Sequence, residues 1–245
     1  MRVKIFILLF AALLYHFSAF AVTLSAVADS FICSYSAEQN TNFGTDDLLI
    51  KNAAPSVTGS FSRKVYIKFS LASLGATAVT QAFLNLRQIA GGGDAVSGTQ
   101  TFHVYGLNDL ASGENWGETS ITWANAPGNN TSSTYGMSAQ ATLLGTFTIN
   151  GTGYSGNLIQ FSNSNLINFL NSDTNDLVTF MVTRETYDSN YSGYIHTFAS
   201  REDGATGPNL LLETMSVVPE YSSFLFATLG ILFFVVYKKG ISGCF

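Results

Sequence analysis

Residues 64–70 read Lys-Val-Tyr-Ile-Lys-Phe-Ser, a strict alternation with Val65, Ile67 and Phe69 on one side and Lys64, Tyr66 and Lys68 on the other. That period belongs to a strand with one buried face and does not suit a helix. Related patterns recur at residues 82–87, 101–105, 142–149 and 177–183, with further short strands expected at 28–35, 48–51, 194–199 and 209–214. Between them stand clusters of turn formers: residues 40–45, Gly91-Gly92-Gly93 and residues 128–138. Long helical periodicity is missing. The one helical hint is residues 166–170, which Asn163-Ser164-Asn165 can cap. About ten short strands separated by turns predict an all-β protein, a jelly-roll-like β-sandwich.

Both tryptophans fall in residues 116–127, Trp-Gly-Glu-Thr-Ser-Ile-Thr-Trp-Ala-Asn-Ala-Pro. Thr119, Ile121 and Trp123 alternate with Ser120 and Thr122, so this stretch too reads as a strand, closed by Asn125 and Pro127. Trp123 reads as core. Trp116 is open to two readings, a core ring or a platform on which a sugar ring packs.

The ends carry addresses. Arg2 and Lys4 precede an apolar run and then Ala19-Phe20-Ala21, the pattern of a secretory signal peptide cleaved after Ala21. At the other end an apolar run, residues 224–237, is followed by Lys238-Lys239. As a helix it would be ~21 Å long at ~1.5 Å per residue, a marginal single transmembrane span with the lysines on the cytoplasmic side. The expected organisation is a signal peptide (residues 1–21), a sandwich domain (22–215) and a membrane-associated tail (216–245). Cys33 and Cys244 would then lie on opposite sides of a membrane, so no disulfide is expected. A net charge of −5, with four of the basic residues in the two terminal segments, leaves the middle acidic and argues against a nucleic-acid partner.

Several landmarks occur in one order: Ala28-Asp29-Ser30, Asn42-Phe43-Gly44, the basic strand from Arg63, the tryptophan stretch, and Ser200-Arg201-Glu202 with Gly207-Pro208-Asn209-Leu210. Together they resemble a DNRLRE-type domain, similar to carbohydrate-binding module family 96, over about residues 28–213. The resemblance implies a β-sandwich of a bacterial exported protein that binds polysaccharide, alginate-like acidic glycans among the ligands. The tail resembles a PEP-CTERM sorting signal, with Pro219-Glu220, the apolar run, and Lys238 and Lys239 as its basic end. Tyr221 stands where that motif has its second proline. This resemblance implies an exosortase-type transpeptidase as partner and delivery to the cell surface or outer membrane, the tail residing in the inner membrane before processing.

Chemistry gives the candidate sites. Lys64, Tyr66 and Lys68 form a row on the polar face of their strand, with Arg63 at its start, and Arg87 joins them if its strand is adjacent. With Trp116 as a platform, this row would cradle an acidic sugar, ammonium groups meeting carboxylates; an ordinary solvated sheet face is the alternative. Asp29, Asp46, Asp47, Glu202 and Asp203 are candidate oxygen ligands for a structural calcium ion. No hydrolase, metalloprotease or nucleotide motif appears. Acid–base chemistry would rest on His103 or His196, or on Glu114, Glu118, Glu185 and Asp188 meeting in space. The expectation is a non-enzymatic, exported polysaccharide-binding protein. The alternatives are a structural or adhesive surface protein, and a polysaccharide lyase or hydrolase.

Overall fold

The computed structural model describes residues 15–53, 61–75, 77–90, 97–187 and 195–219. The basic start and apolar run of the signal, Gly91-Gly92-Gly93, Asp188, and the tail with Glu220, Lys238 and Lys239 lie outside the described residues. By its contacts the chain forms two units: residues 21–214 hold the sheets, and the terminal pieces form the other, of which only residues 15–20 and 215–219 are described. Among the described residues no helix is long and apolar enough to cross a membrane.

The protein is mostly β, in sandwich-like sheets. Its strands are β1 (Tyr15–Ser25), β2 (Ala28–Cys33), β3 (Leu48–Ile50), β4 (Arg63–Ser70), β5 (Ala78–Arg87), β6 (Thr99–Leu107), β7 (Ala141–Asn150), β8 (Leu158–Phe161), β9 (Leu177–Arg184), β10 (His196–Phe198) and β11 (Asn209–Pro219). One sheet has the order β2-β4-β9-β6-β7, a second β1-β11-β5-β8, and β3 pairs with β10. The single α-helix among the described residues, α1 (Ser164–Asn171), starts where Asn163 Oδ1 accepts from Leu166 N at 2.8 Å, the cap expected from the sequence.

Alternation decides which side chains meet. In the five-stranded sheet Phe31, Val65, Val182 and Val104 are register partners along one row, and Ile67, Phe180 and Gly106 share another. These residues face the second sheet, whose Ala82, Leu84, Leu86, Leu210 and Leu212 complete one core with Leu166 and Leu170 of α1. Gly106 leaves room for α1: a Cβ there would lie 2.5 Å from the Phe169 ring. Cys33 is buried in the same core as a free thiol, its pKa pushed up to about 12 chiefly by burial.

The opposite face of the five-stranded sheet is not open. Ser30 pairs with Tyr66 and Tyr66 with Met181, a row that continues to Tyr105. Over it lies residues 108–140, which form turns and bridges and no strand. This corrects the expected strand at Thr119–Trp123. Ile121, Thr122 and Trp123 are buried consecutively, and turn bonds take the place of a ladder: Ile121 N to Gly117 O at 3.0 Å and Ala126 N to Thr122 O at 3.0 Å, while Ala124 N reaches a distant backbone acceptor, Gln39 O, at 3.1 Å. Asn125 completes the turn, taking a bond from Thr122 N through Oδ1 at 2.7 Å and giving one to Ser120 O at 2.9 Å. Side-chain amides that satisfy nearby backbone groups compete with a ladder, and here they win. Trp116, Ile121, Trp123 and Ala126 thus pack with Ala28, Ile32, Tyr66, Leu107 and Met181 as a second core.

The tryptophan loop is held at its base by Gly44. A Cβ on Gly44 would meet the Glu118 carbonyl oxygen at 2.2 Å, while Asn42 Nδ2 donates to Glu118 O at 2.7 Å and Ile121 O at 2.8 Å. Backbone cannot retreat as a flexible side-chain tip can. Gly44→Ala is therefore expected to cost about 1–3 kcal/mol and to shift tryptophan emission to the red, read by denaturant unfolding and fluorescence; unchanged stability and emission would contradict this packing.

Candidate functional site

The row named from the sequence keeps its side but not its exposure. Lys64 and Tyr66 are 0% exposed, Lys68 6% and Trp116 7%, because the tryptophan loop covers them. The Lys64 ammonium lies 4.5 Å from the centre of the Trp123 ring and donates to Asn129 Oδ1 at 2.8 Å, Asn130 O at 3.2 Å and Gly136 O at 2.8 Å. Lys68 lies 4.8 Å from the Trp116 ring and donates to Trp116 O and, at 3.4 Å, to Asn115 Oδ1. Tyr66 gives its hydroxyl to Pro127 O at 3.1 Å, and Trp116 Nε1 reaches Thr179 Oγ1 at 3.0 Å. Arg87 is on β5 in the other sheet, bonded to Gly156 O at 2.9 Å, and does not join them. The open cradle expected from Lys64, Tyr66, Lys68, Arg87 and Trp116 is therefore corrected: four of the five form an interior layer. Alternation sorts faces, but it cannot show that a loop sixty residues later caps one of them.

Burial sets the electrostatics of that layer. It pushes the Lys64 amine down to about 7 and Lys68 down as well, and holds the Tyr66 phenol well above its ordinary value. For Lys64 three oxygen acceptors and an indole face pull the other way, favouring the ammonium form.

The carboxylates also regroup. Asp29 and Glu202 converge with Glu118, which the sequence did not suggest as a ligand, whereas Asp46, Asp47 and Asp203 do not join that group. Asp203 instead caps the turn at residues 201–206, accepting from Ser200 N at 3.0 Å. Arg201 sits among the three: its backbone N donates to Asp29 Oδ2 at 2.8 Å, and its guanidinium meets Glu118 Oε2 at 2.8 Å. Glu118 Oε1 accepts from Asp29 N at 2.9 Å. Burial, only partly opposed by the Arg201 N–H bond, raises the Asp29 carboxyl to about 7, and its Oδ1 has no hydrogen-bond partner among the described residues.

The groups considered for acid–base catalysis separate. Glu114, Glu118 and Glu185 fall in different clusters. His103 bonds Tyr105 Oη and Glu185 Oε2, both at 3.1 Å, on the outer face of β6. His196 is buried against Arg184, its pKa lowered to about 4 first by burial.

What remains open is a groove that sequence reading missed. Between the end of β6, β7 and α1 lies a cavity of about 660 Å³ lined by Asn108, Asp109, Thr142, Leu143, Leu144, Asn165, Asn168, Phe169 and Ser172. Asn165, Asn168, Thr142 and Ser172 are exposed. Asn108 is held in place, accepting from Thr142 Oγ1 at 2.7 Å and donating to Ala139 O at 3.1 Å. The partly buried Phe169 and exposed Leu143 supply apolar surface. Amides, hydroxyls and an aromatic ring on a concave surface are the groups that meet sugar hydroxyls and sugar C–H faces. The one sequence clue was the run of asparagines in α1, which reads locally only as a cap.

A model of carbohydrate-binding module family 96 matches residues 20–214, the whole of the sandwich. The chain belongs to this family. No curated protein matches it. Membership points to carbohydrate binding, and it places the resemblance read from Asp29, Asn42, Gly44, Glu118 and Arg201 on a physical footing. In this family-96 chain those residues touch one another and anchor the tryptophan loop.

Asp29 gives this anchor a pH signature. Its folded pKa lies above the unfolded one, so its contribution is fully present below about pH 4 and is lost as pH rises through about 7. An amide imitates the protonated acid. The melting temperature of Asp29→Asn minus that of the parent should therefore increase from pH 4 to pH 7 and level off above it. Taking the difference cancels His196, whose lowered pKa acts in the opposite sense over an overlapping range. A difference that is flat or falls with pH would refute the assignment.

Proposed function

We propose that this chain is an exported polysaccharide-binding protein that takes a glycan in the groove between β7 and α1 and works without catalysis. Family membership supports carbohydrate as the ligand class, and the groove is the observation that carries the location. Its volume of about 660 Å³ lies within the roughly 300–1,000 Å³ usual for small-ligand sites, and two or three sugar rings of a longer chain could lie along it. The basic row cannot meet a glycan while the tryptophan loop lies over it. The groove instead offers neutral amides and hydroxyls, with Asp109 at its edge. Neutral stretches of polysaccharide suit it directly, and acidic, alginate-like chains suit it where a cation offsets Asp109.

Export rests on the two ends. Cleavage after Ala21 would leave Val22 and Leu24, both packed against the core, so the sandwich keeps its inward positions on the shortened β1. The sorting-signal likeness at Pro219-Glu220 and Lys238-Lys239 supports anchoring at the cell surface, with an exosortase-type transpeptidase as processing partner.

Affinity electrophoresis against neutral and acidic glycans tests the reading. Asn168 is exposed, and its side chain makes no hydrogen bond among the described residues, so Asn168→Ala should leave folding intact. It is expected to weaken retardation by the bound glycan about tenfold, the value of one hydrogen bond of about 1.4 kcal/mol. No retardation of the parent by any glycan, or equal retardation of both proteins, would sink the proposal; release of unsaturated or reducing ends would replace it with an enzyme.

A further inference from the structure

Beside the groove the turn after β6 and the turn before β9 bring Asp109 and Glu114, neighbours in sequence, together with the distant Asp173. Asp109, Glu114 and Asp173 each place an oxygen within 4.8 Å of the other two. All three line one small cavity of about 10 Å³, closed by Leu107, Phe169, Ser172 and Leu177. That is room for about one water-sized species.

Half of the carboxylate oxygens are already used. Glu114 Oε2 accepts from Asn175 Nδ2 at 2.7 Å and Leu110 N at 3.1 Å. Asp109 Oδ2 accepts from Thr174 Oγ1 at 2.5 Å, and Asp173 Oδ2 from Asp176 N at 2.8 Å. The other halves are bare. Glu114 Oε1 and Asp109 Oδ1 are buried without a hydrogen-bond partner among the described residues, and Glu114 as a whole is only 6% exposed. Among the described residues no ion pair reaches the three acids. Lys68, which feels the Glu114 charge, gives its ammonium to Trp116 O and Asn115. Bare carboxylate oxygens withdrawn from water are costly unless something positive meets them.

We propose that Asp109, Glu114 and Asp173 hold a hard divalent cation of the calcium class, completed by water. Donors that are all oxygen, supplied by irregular turns, suit calcium better than the softer transition metals. The ion would tie the turn after β6 to the turn before β9. It would also sit beside the groove, which shares Asp109, Phe169 and Ser172 with the small cavity. The Asp29, Glu118 and Glu202 group differs in kind, because Arg201 already supplies its positive charge.

The test is calorimetric titration of the EDTA-stripped full chain with calcium chloride, and separately with magnesium chloride, alongside thermal melting. The parent should bind one ion and gain roughly 5–10 °C in melting temperature at a metal concentration about 100 times Kd. Asp109→Asn and Glu114→Gln should each lose the binding heat and the melting gain, while Glu202→Gln keeps both. Cooperative melting of the variants in EDTA shows that the loss is of ligand and not of fold; if Glu114→Gln does not fold, Asp109→Asn and Asp173→Asn decide. Absence of heat from either salt overturns the proposal. So does binding that survives Asp109→Asn and Glu114→Gln, or that disappears with Glu202→Gln. Glycan retardation is read separately, so a metal-binding protein that ignores every glycan leaves the cation site standing and removes only the groove's assignment.

Discussion

Strands β2, β4 and β9 of the five-stranded sheet are buried on both faces, and the Lys64 ammonium beneath Trp123 is the contact that makes this possible. Taking a lysine out of water costs several kcal/mol unless its hydrogen bonds are replaced. Here Asn129, Asn130 and Gly136 replace them, and the indole covers a remaining side. The arrangement works as a registration device. A slipped loop would leave a buried ammonium and three partly buried acceptors unsatisfied together, which favours one placement of residues 123–136 on β4. Lys68 repeats the device at Trp116, and Tyr66 between them fixes Pro127. Lysine and tyrosine here play the part that valine, isoleucine and phenylalanine play on the opposite face, with direction added by their hydrogen bonds.

A second set of ties locks the same loop from its other end. Glu118 binds the start of β2 through Asp29 N and the turn at residues 201–206 through Arg201, while Asn42 and the bare backbone of Gly44 receive its carbonyl. Segments separated by as many as 172 residues meet there. Distant segments that close on the tryptophan loop give an irregular stretch the fixity of a strand. The residues that make this chain resemble its family are thus mostly those that build the scaffold, and a family likeness carried by scaffold residues says little about which glycan is bound.

How much the sequence revealed follows from the range of each interaction. Period-two alternation is local, so β4, β6, β7 and β9 were legible, as was the Asn163 cap of α1. β8, only Leu158–Phe161, is too short for alternation to stand out, and β1 was hidden under the reading of a signal peptide. The tryptophan segment misled because Thr119, Ile121 and Trp123 do alternate, whereas the turn chemistry of Gly117 and Asn125 decides the backbone. The polar row on β4 was placed on its proper side and given the wrong surroundings, since what covers it comes from another part of the chain. Asp109 and Asp173 escaped notice for the same reason, and Glu114 drew attention only as an acid–base candidate: no spacing links positions 109 and 173, and it is the antiparallel pairing of β6 with β9 that brings their turns together.

These features separate the work of the two faces. Positive charge that could have met an acidic polymer is consumed inside the protein, where it holds the loop. The groove and its rim keep the acids, on a chain whose net charge is −5. A polyanion approaching Asp109 and Asp173 would meet repulsion, and the exposed amides of α1 supply too little to offset it. With a divalent ion among the three carboxylates, their negative charge falls from three to one, and the same rim repels a uronate far less and can offer it the cation as a partner. Choice between neutral and acidic glycan then depends less on the groove's own hydrogen-bonding groups than on whether that small cavity is filled. In such a protein a cation would serve both as a staple between two turns and as a determinant of specificity.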